Sequence, residues 1–167
     1  MELHNEMVVN APAAAAWAVL GERFGQIAEW AVPITASSME GEPRIGAVRT
    51  CHIARFGPVA PGAIKERLIA FDAQARSFAY EAVEGMPRFI ARAVNRWSVH
   101  ARDEKSCIVR THATLELRGA AVLLGRLLKW KMQADGGRVF EELQHRIEHG
   151  RPHPRKLGTL SKCHQTP

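Results

Sequence analysis

The chain has 167 residues, 46% of them apolar and 24% charged, and a formal net charge of +6; this length makes one domain that buries roughly two-thirds of its unfolded surface. No run of 18 apolar residues occurs, which excludes a membrane-crossing helix. Met1-Glu2-Leu3-His4-Asn5-Glu6 has neither a basic start nor an apolar stretch, so no secretory signal is expected. Cys51, Cys107 and Cys163 are odd in number, widely spaced and outside any CxxC or CxxH pair. They argue against a disulfide framework or structural zinc and fit a reducing cytoplasm. Residues 150–167 hold Arg151, Arg155, Lys156 and Lys162 and no acid, so this tail carries +4 of the charge and residues 1–149 only +2. The body is nearly balanced, and no nucleic-acid partner is expected.

Leu3 to Val9 alternates weakly as a first strand. Asn10-Ala11-Pro12 places a proline for a first helical turn, and Ala13 to Leu20 reads as helix with Trp17 and Leu20 inward. Gly21 and Gly25 interrupt it; Phe24 to Trp30 makes a second short helix, closed by Pro33. From Ile34 the period becomes two. Strands are predicted at Ile34 to Met39, Ala47 to Ala54, Ala63 to Phe71, Phe78 to Val83, Ile90 to Ala101 and Cys107 to Leu117. Turn residues separate them: Glu40 to Pro43, Phe56 to Gly62, Asp72 to Gln74, Glu84 to Pro87 and Asp103 to Lys105. After Gly119 the period returns to 3.6, predicting one long helix from Ala120 to about His149. Its apolar stripe is Leu124, Leu128, Met132, Val139, Leu143 and Ile147. Beyond Gly150, prolines and polar residues predict a disordered tail.

Consecutive strands joined by short turns pair antiparallel, and a sheet with one apolar face must cover it. The only large amphipathic element left is the terminal helix. The expectation is an α+β fold: a curved seven-stranded antiparallel sheet wrapped around a long C-terminal helix, with two short helices after strand one. Residues 1–149 form this domain and 150–167 a basic tail.

Strand parity then assigns the inward face. Ile64, Glu66, Leu68 and Ala70 share one side of their strand, which puts a carboxylate in an apolar row. A buried carboxylate needs a partner or a wet cavity, and Arg49, with Cys51 and Ile53 on the preceding strand, has the parity to supply one. Phe78, Tyr80 and Ala82 point inward on the fifth strand, and Ala91, Ala93, Asn95, Trp97 and Val99 on the sixth. On the seventh the inward residues are Val109, Thr111, Ala113, Leu115 and Leu117. Small residues on a concave sheet, with Gly136-Gly137 in the covering helix, leave space beside a few fixed polar groups, which is the anatomy of a small-molecule site. The expected ligand-contacting residues are Arg49, Cys51, Ile53, Glu66, Leu68, Phe78, Tyr80, Ala93, Asn95, Trp97, Thr111, Ala113, Met132 and Phe140. The competing reading is a solid core in which Arg49 and Glu66 form an internal ion pair. That pair reads as scaffolding at the pocket wall rather than as catalytic machinery.

Several short pieces carry a resemblance to a known family: Asn10-Ala11-Pro12 before a helix ending in Trp17-Ala18-Val19-Leu20, Trp30 closing the second helix, and Gly46-Ala47-Val48-Arg49 opening strand three. Glu66-Arg67-Leu68 ahead of Asp72, and Tyr80-Glu81-Ala82-Val83-Glu84-Gly85 leading into a proline, complete it. Across residues 5–148 the chain resembles the START-like (SRPBCC) superfamily of polyketide cyclase/dehydratase and lipid transport proteins. Its helix-grip fold is shared with the birch pollen allergen and the plant abscisic acid receptors. The resemblance implies a hydrophobic or amphipathic ligand bound between sheet and helix, with the loops at Phe56 to Gly62 and Gly85 to Phe89 guarding the mouth. The strand carrying Val109 and Thr111 lacks the tryptophan many relatives place there. Phe56-Gly57-Pro58-Val59 resembles the receptors' gate only loosely, so a hormone-receptor role is not supported.

Other constellations carry less. His52, His100 and His112 lie on outward parity, His145 and His149 are one helical turn apart, and His4, His153 and His164 stand alone in sequence. No third ligand or HExxH pattern accompanies them, so they read as solvated surface histidines, and no metal is expected. No GxSxG elbow or phosphate loop occurs, and no cofactor is expected. Cys51 and Cys107 read as packing groups. Ala120 to Met132 is unusually apolar with interspersed cations and could dock on a membrane, but reads first as the start of the covering helix, with membrane contact transient at most. Outward Arg92, Arg96 and Arg110 have Glu81 and Glu116 on neighbouring outward faces and read as a solvated surface.

The leading functional expectation is a cytoplasmic, cofactor-free binder or transporter of a hydrophobic small molecule, in which a homodimer is compatible with the chain. The alternatives are a cyclase or dehydratase using the same cavity, with Glu66 or Tyr80 as proton carrier, and an interaction module presenting a basic face or tail to an acidic partner.

Overall fold

A computed structural model describes residues 1–54 and 60–163 of the chain. Seven strands form one antiparallel sheet: β1 (Glu2–Val9), β2 (Ile34–Met39), β3 (Val48–Ile53), β4 (Gly62–Asp72), β5 (Ser77–Glu84), β6 (Ile90–Ala101) and β7 (Cys107–Leu117). From β2 to β7 each strand pairs with its successor, and β1 closes the order β1-β7-β6-β5-β4-β3-β2. This is the pairing that short, turn-rich separators dictate. At one of these turns Gly85, with φ +84°, passes so close to Ala63 that any Cβ would lie 2.0 Å from its carbonyl oxygen, a place only glycine can fill.

Between β1 and β2 the chain makes helix α1 (Ala13–Trp17), a π-helical turn over Ala18–Glu22 and a 3₁₀ segment over Phe24–Glu29. The Trp17 indole lies where a side chain on Gly21 would be, 2.4 Å from an added Cβ. The loosened turn thus lets the indole pack inward against Phe71 and Phe78. The long helix α2 (Gly125–His149) crosses the concave face. Its Phe140 ring stacks on Trp97 of β6 with centroids 5.4 Å apart, and Leu143 is fully buried. The main core gathers Trp17, Phe24, Trp30, Phe78, Trp97, Val109, Phe140, Leu143 and Ile147. A smaller cluster of Leu3, Ile90 and Leu115 closes the other end of the sheet.

Four expectations are corrected. The covering helix does not run unbroken from Ala120: a 3₁₀ turn at Gly119–Val122 precedes α2, and Leu124, assigned to the inner stripe, is 61% exposed. Ala70 leaves the inward row because the β4–β5 register shifts between Leu68 and Ala70, and a bulge moves every later side chain to the other face. The tail expected to be disordered forms helix α3 (Pro154–Cys163), with proline at its first position. Lys156 of α3 is buried, its Nζ donating to the carbonyls of Ala31 (3.0 Å) and Ile34 (2.5 Å). Two of the histidines are less solvated than expected: the Nε2 atoms of His112 and His145 are buried without a hydrogen-bond partner among the described residues, whereas His4, His52, His100 and His149 are exposed. Residues 55–59 of the mouth loop expected at Phe56 to Gly62, and His164, lie outside the described residues. No helix of the described chain is long and apolar enough to cross a membrane.

Candidate functional site: a cavity between sheet and helix

A cavity of about 240 Å³ lies between the concave face and α2, a little below the roughly 300–1,000 Å³ of sites for drug-sized ligands. The 3₁₀ segment and the β2 entry contribute Ile27, Trp30, Pro33 and Ile34, the strands contribute Ala82, Ala93 and Ala113, and α2 contributes Met132, Gly136, Val139 and Phe140. The wall is mostly apolar, and the alanines and Gly136 account for its hollowness: a close-packed interior would carry branched side chains at such positions.

Of the fourteen residues expected at the ligand, ten line this cavity: Ile53, Glu66, Tyr80, Ala93, Asn95, Trp97, Thr111, Ala113, Met132 and Phe140. Arg49, Cys51, Leu68 and Phe78 share the inward face but stand behind the wall, in the buried core. Parity assigns a face; it does not tell which residues on that face neighbouring side chains cover. Sequence reasoning missed Leu3, Asn5, Ile27, Trp30, Ala31, Pro33, Ile34, Met86 and Val94, and did not name Val139 of the helix stripe as a ligand contact. Four of these, Ile27, Trp30, Ala31 and Pro33, come from the irregular segment before β2, where no period marks a side.

The polar groups are organised around Glu66. Arg49, opposite it in the β3–β4 register, donates to Glu66 Oε2 from Nε (2.9 Å) and Nη2 (2.5 Å) and to the Phe24 carbonyl from Nη1 (2.6 Å). Its guanidinium also lies 3.8 Å above the Phe24 ring, a cation–π contact. Burial opposes the Arg49 charge, but Glu66, Cys51 and Tyr80 together hold its pKa above the ordinary value. The Cys51 thiol, 3.5 Å from the same Oε2, is pushed up to about 12 by burial, with Arg49 opposing. A thiol so protonated is a packing group, not a nucleophile. The side-chain hydrogen bonds that Glu66 accepts among the described residues thus fall on Oε2.

Next along the wall Asn95 Nδ2 donates to the Tyr80 hydroxyl at 3.1 Å. Burial and then Glu66 raise the Tyr80 pKa well above the ordinary phenol value, so this hydroxyl stays neutral. Asn95 Oδ1 is buried and has no hydrogen-bond partner among the described residues. Glu66, Tyr80 and Asn95, on β4, β5 and β6, therefore form one polar spot on an apolar wall.

Two other features lie on the opposite face of the sheet. One is a larger groove of about 580 Å³, much of it lined by His4, Glu6, Arg96, Ser98, Arg110 and His112. Beside it Glu2, His4 and His112 bring three ligating atoms within 4.8 Å of one another. The two imidazoles stack nearly parallel, 17° apart with centroids at 4.2 Å. Both Nε2 atoms face the same Glu2 Oε2, at 3.6 Å from His4 and 3.7 Å from His112, and the cluster sits at the exposed surface.

A cavity gripped between a curved antiparallel sheet and a C-terminal helix defines a helix-grip protein. The chain belongs to the family described as polyketide cyclase / dehydrase and lipid transport, which matches residues 2–148. No curated protein sequence matches it. Among solved structures it is similar to norcoclaurine synthase from Thalictrum flavum in complex with dopamine and hydroxybenzaldehyde, at 17% identity and TM-score 0.66, over 89% of this chain and 87% of that one. A Thermus thermophilus protein matches at 16% identity and TM-score 0.69, over 88% and 97%. A Thermobifida fusca protein matches at 26% identity and TM-score 0.63, over 91% and 97%.

Proposed function

We propose that this protein binds a compact hydrophobic molecule carrying one polar group, held in the cavity between sheet and α2. The observation that carries the reading is the pairing of an apolar wall with one polar spot, in which Asn95 Oδ1 is a buried acceptor without a partner. A buried polar atom left unsatisfied costs free energy, and a ligand hydroxyl or amine placed there would recover it. A volume of about 240 Å³ suits a molecule of one or two rings better than a long-chain lipid.

The enzymatic alternative draws support from the position of Glu66 and Tyr80 on the same wall, as proton carriers for a cyclisation or dehydration. The Arg49 clamp favours binding over catalysis, because two hydrogen bonds to Oε2 fix the position of the Glu66 carboxylate. An interaction module built on basic faces has less support: Arg92 is paired with Glu81 at 2.8 Å, Arg110 with Glu6 and Arg155 with Glu141.

Native mass spectrometry of protein purified from its own host is expected to show a co-purifying apolar molecule. As a second readout, Ala93→Phe fills the cavity. It is expected to abolish binding of a fluorescent apolar probe with little change in melting temperature, whereas in a solid core the added ring costs about 1–3 kcal/mol. A large drop in melting temperature, with no probe bound by wild type or variant, would sink the cavity reading.

A further inference from the structure

The outer surface at the start of α2 is not explained by the cavity. Val122, Leu123, Leu124, Leu127 and Trp130 are 59%, 88%, 61%, 64% and 69% exposed, although residues of these types are normally buried. Leu127 and Trp130 stand about one turn apart on the helix, and Leu123 and Leu124 immediately precede it. The opposite side of the same turns is also apolar: Met132 and Gly136 face the cavity. This half of α2 therefore has two apolar faces, of which the fold covers one.

Cations surround the uncovered face. Arg118, Arg126, Lys129 and Lys131 are exposed, and residues 117–134 contain no aspartate or glutamate. We propose that this surface docks on an anionic lipid bilayer, with the leucines and Trp130 in the headgroup–acyl boundary and the four cations on lipid phosphates or carboxylates. Amphipathic elements with Trp and Leu beside Lys and Arg bind such interfaces by this combination of forces. A second copy of the chain fits less well. A two-fold contact through the patch would set its four cations against the same four of the partner.

Docking would bring the Met132 end of the cavity close to the lipid, where apolar compounds concentrate. This loading role rests on the ligand-binding reading above; the docking itself does not.

Trp130 supplies the test, because the other three tryptophans, Trp17, Trp30 and Trp97, are 4%, 4% and 8% exposed. Titrating the full chain with phosphatidylserine/phosphatidylcholine vesicles is expected to shift its emission to the blue, with quenching by brominated acyl chains. Pure phosphatidylcholine should give at least tenfold weaker binding. Trp130→Phe should remove most of the spectral change while the protein still co-sediments with vesicles. Leu123→Glu with Leu127→Glu should abolish co-sedimentation, and Lys129→Glu should weaken it roughly fivefold or more. These side chains are solvent-exposed, so the variants should keep the wild-type melting temperature. Ala93→Phe separates the two readings: it should still bind vesicles but take up no apolar probe. Docking is overturned if wild type ignores anionic vesicles, or binds them no better than neutral ones. It is also overturned if sedimentation velocity shows a dimer that the leucine variants dissociate while vesicles have no effect.

Discussion

Glu66 shows how one residue in the wrong-looking place marks a site. A carboxylate in the inward row of β4 is tolerable because Arg49 meets it with two hydrogen bonds. The pair is nearly enclosed, with side-chain exposures of 3% for Arg49 and 16% for Glu66. Removing one member of such a pair strands the other charge. Glu66→Ala is therefore expected to lower unfolding free energy by roughly 3–5 kcal/mol. Arg49→Met combined with Glu66→Gln should cost less than that, although it leaves the Phe24 carbonyl without its donor. Denaturant titrations of the three proteins check this; equal, small effects would mean that water reaches both groups.

Helix α2 has to cover the cavity without filling it, and its adjacent glycines Gly136 and Gly137 divide that task. Gly136 lines the cavity, and a Cβ there would come 3.8 Å from Asn5 Nδ2; a Cβ on Gly137 meets nothing within 4 Å. Glycine costs a helix interior about 0.5–1 kcal/mol relative to alanine. Gly137→Ala should stabilise the protein by about that amount with probe binding unchanged, whereas Gly136→Ala should reduce binding as well. At the far end of α2, His145 stacks on His149 at 4.4 Å and meets His153 edge-on at 5.1 Å. Burial, then His149, His153 and Arg151, hold its pKa below the ordinary 6.5, with Glu148 opposing. The unfolded chain thus binds this proton more readily than the folded one. The resulting stability is complete above pH 6.5 and is lost as pH falls through and below that value. Hydrogen exchange at the α2–α3 corner should accelerate more between pH 7.5 and 5.5 in wild type than in His145→Gln. An identical acid response in both would remove His145 as the cause.

Across the whole molecule, elements distant in sequence hold the irregular wall of the cavity. The segment from Trp30 to Ile34 has no sheet ladder for most of its length, so its backbone groups need other partners. Glu142 of α2 accepts the Val32 N–H at 2.8 Å, and Lys156 of α3 caps the carbonyls of Ala31 and Ile34. Both side chains are buried. Burial raises the Glu142 pKa, while the Val32 N–H, Arg155 and Lys156 pull it back. Lys156→Met keeps the apolar stem but leaves two carbonyls without this donor. It should cost about 1–3 kcal/mol and weaken probe binding, because Trp30, Pro33 and Ile34 would lose their support. A thermal melt and a probe titration read both effects; wild-type behaviour in the two would make α3 an accessory to the fold.

The sequence by itself determined the sheet, its antiparallel order, the covering helix and the inward row that carries Glu66, Tyr80, Asn95 and Trp97. Those features follow from period, turn residues and parity, which are local, and Arg49 could be matched to Glu66 because adjacent strands carry parity across. Tertiary structure decided what locality cannot carry. A single register shift in β4 turned Ala70 outward, and neighbouring side chains left Arg49, Cys51, Leu68 and Phe78 behind the cavity wall. Lys156, read along the chain as part of a basic tail, and Glu142 are both buried, because the backbone groups they satisfy lie more than a hundred residues away. Leu124 misleads in the opposite direction: its helical spacing put it in the buried stripe, and only the packed molecule shows it exposed beside Leu123, Leu127 and Trp130 on an apolar face of α2 that the fold leaves uncovered.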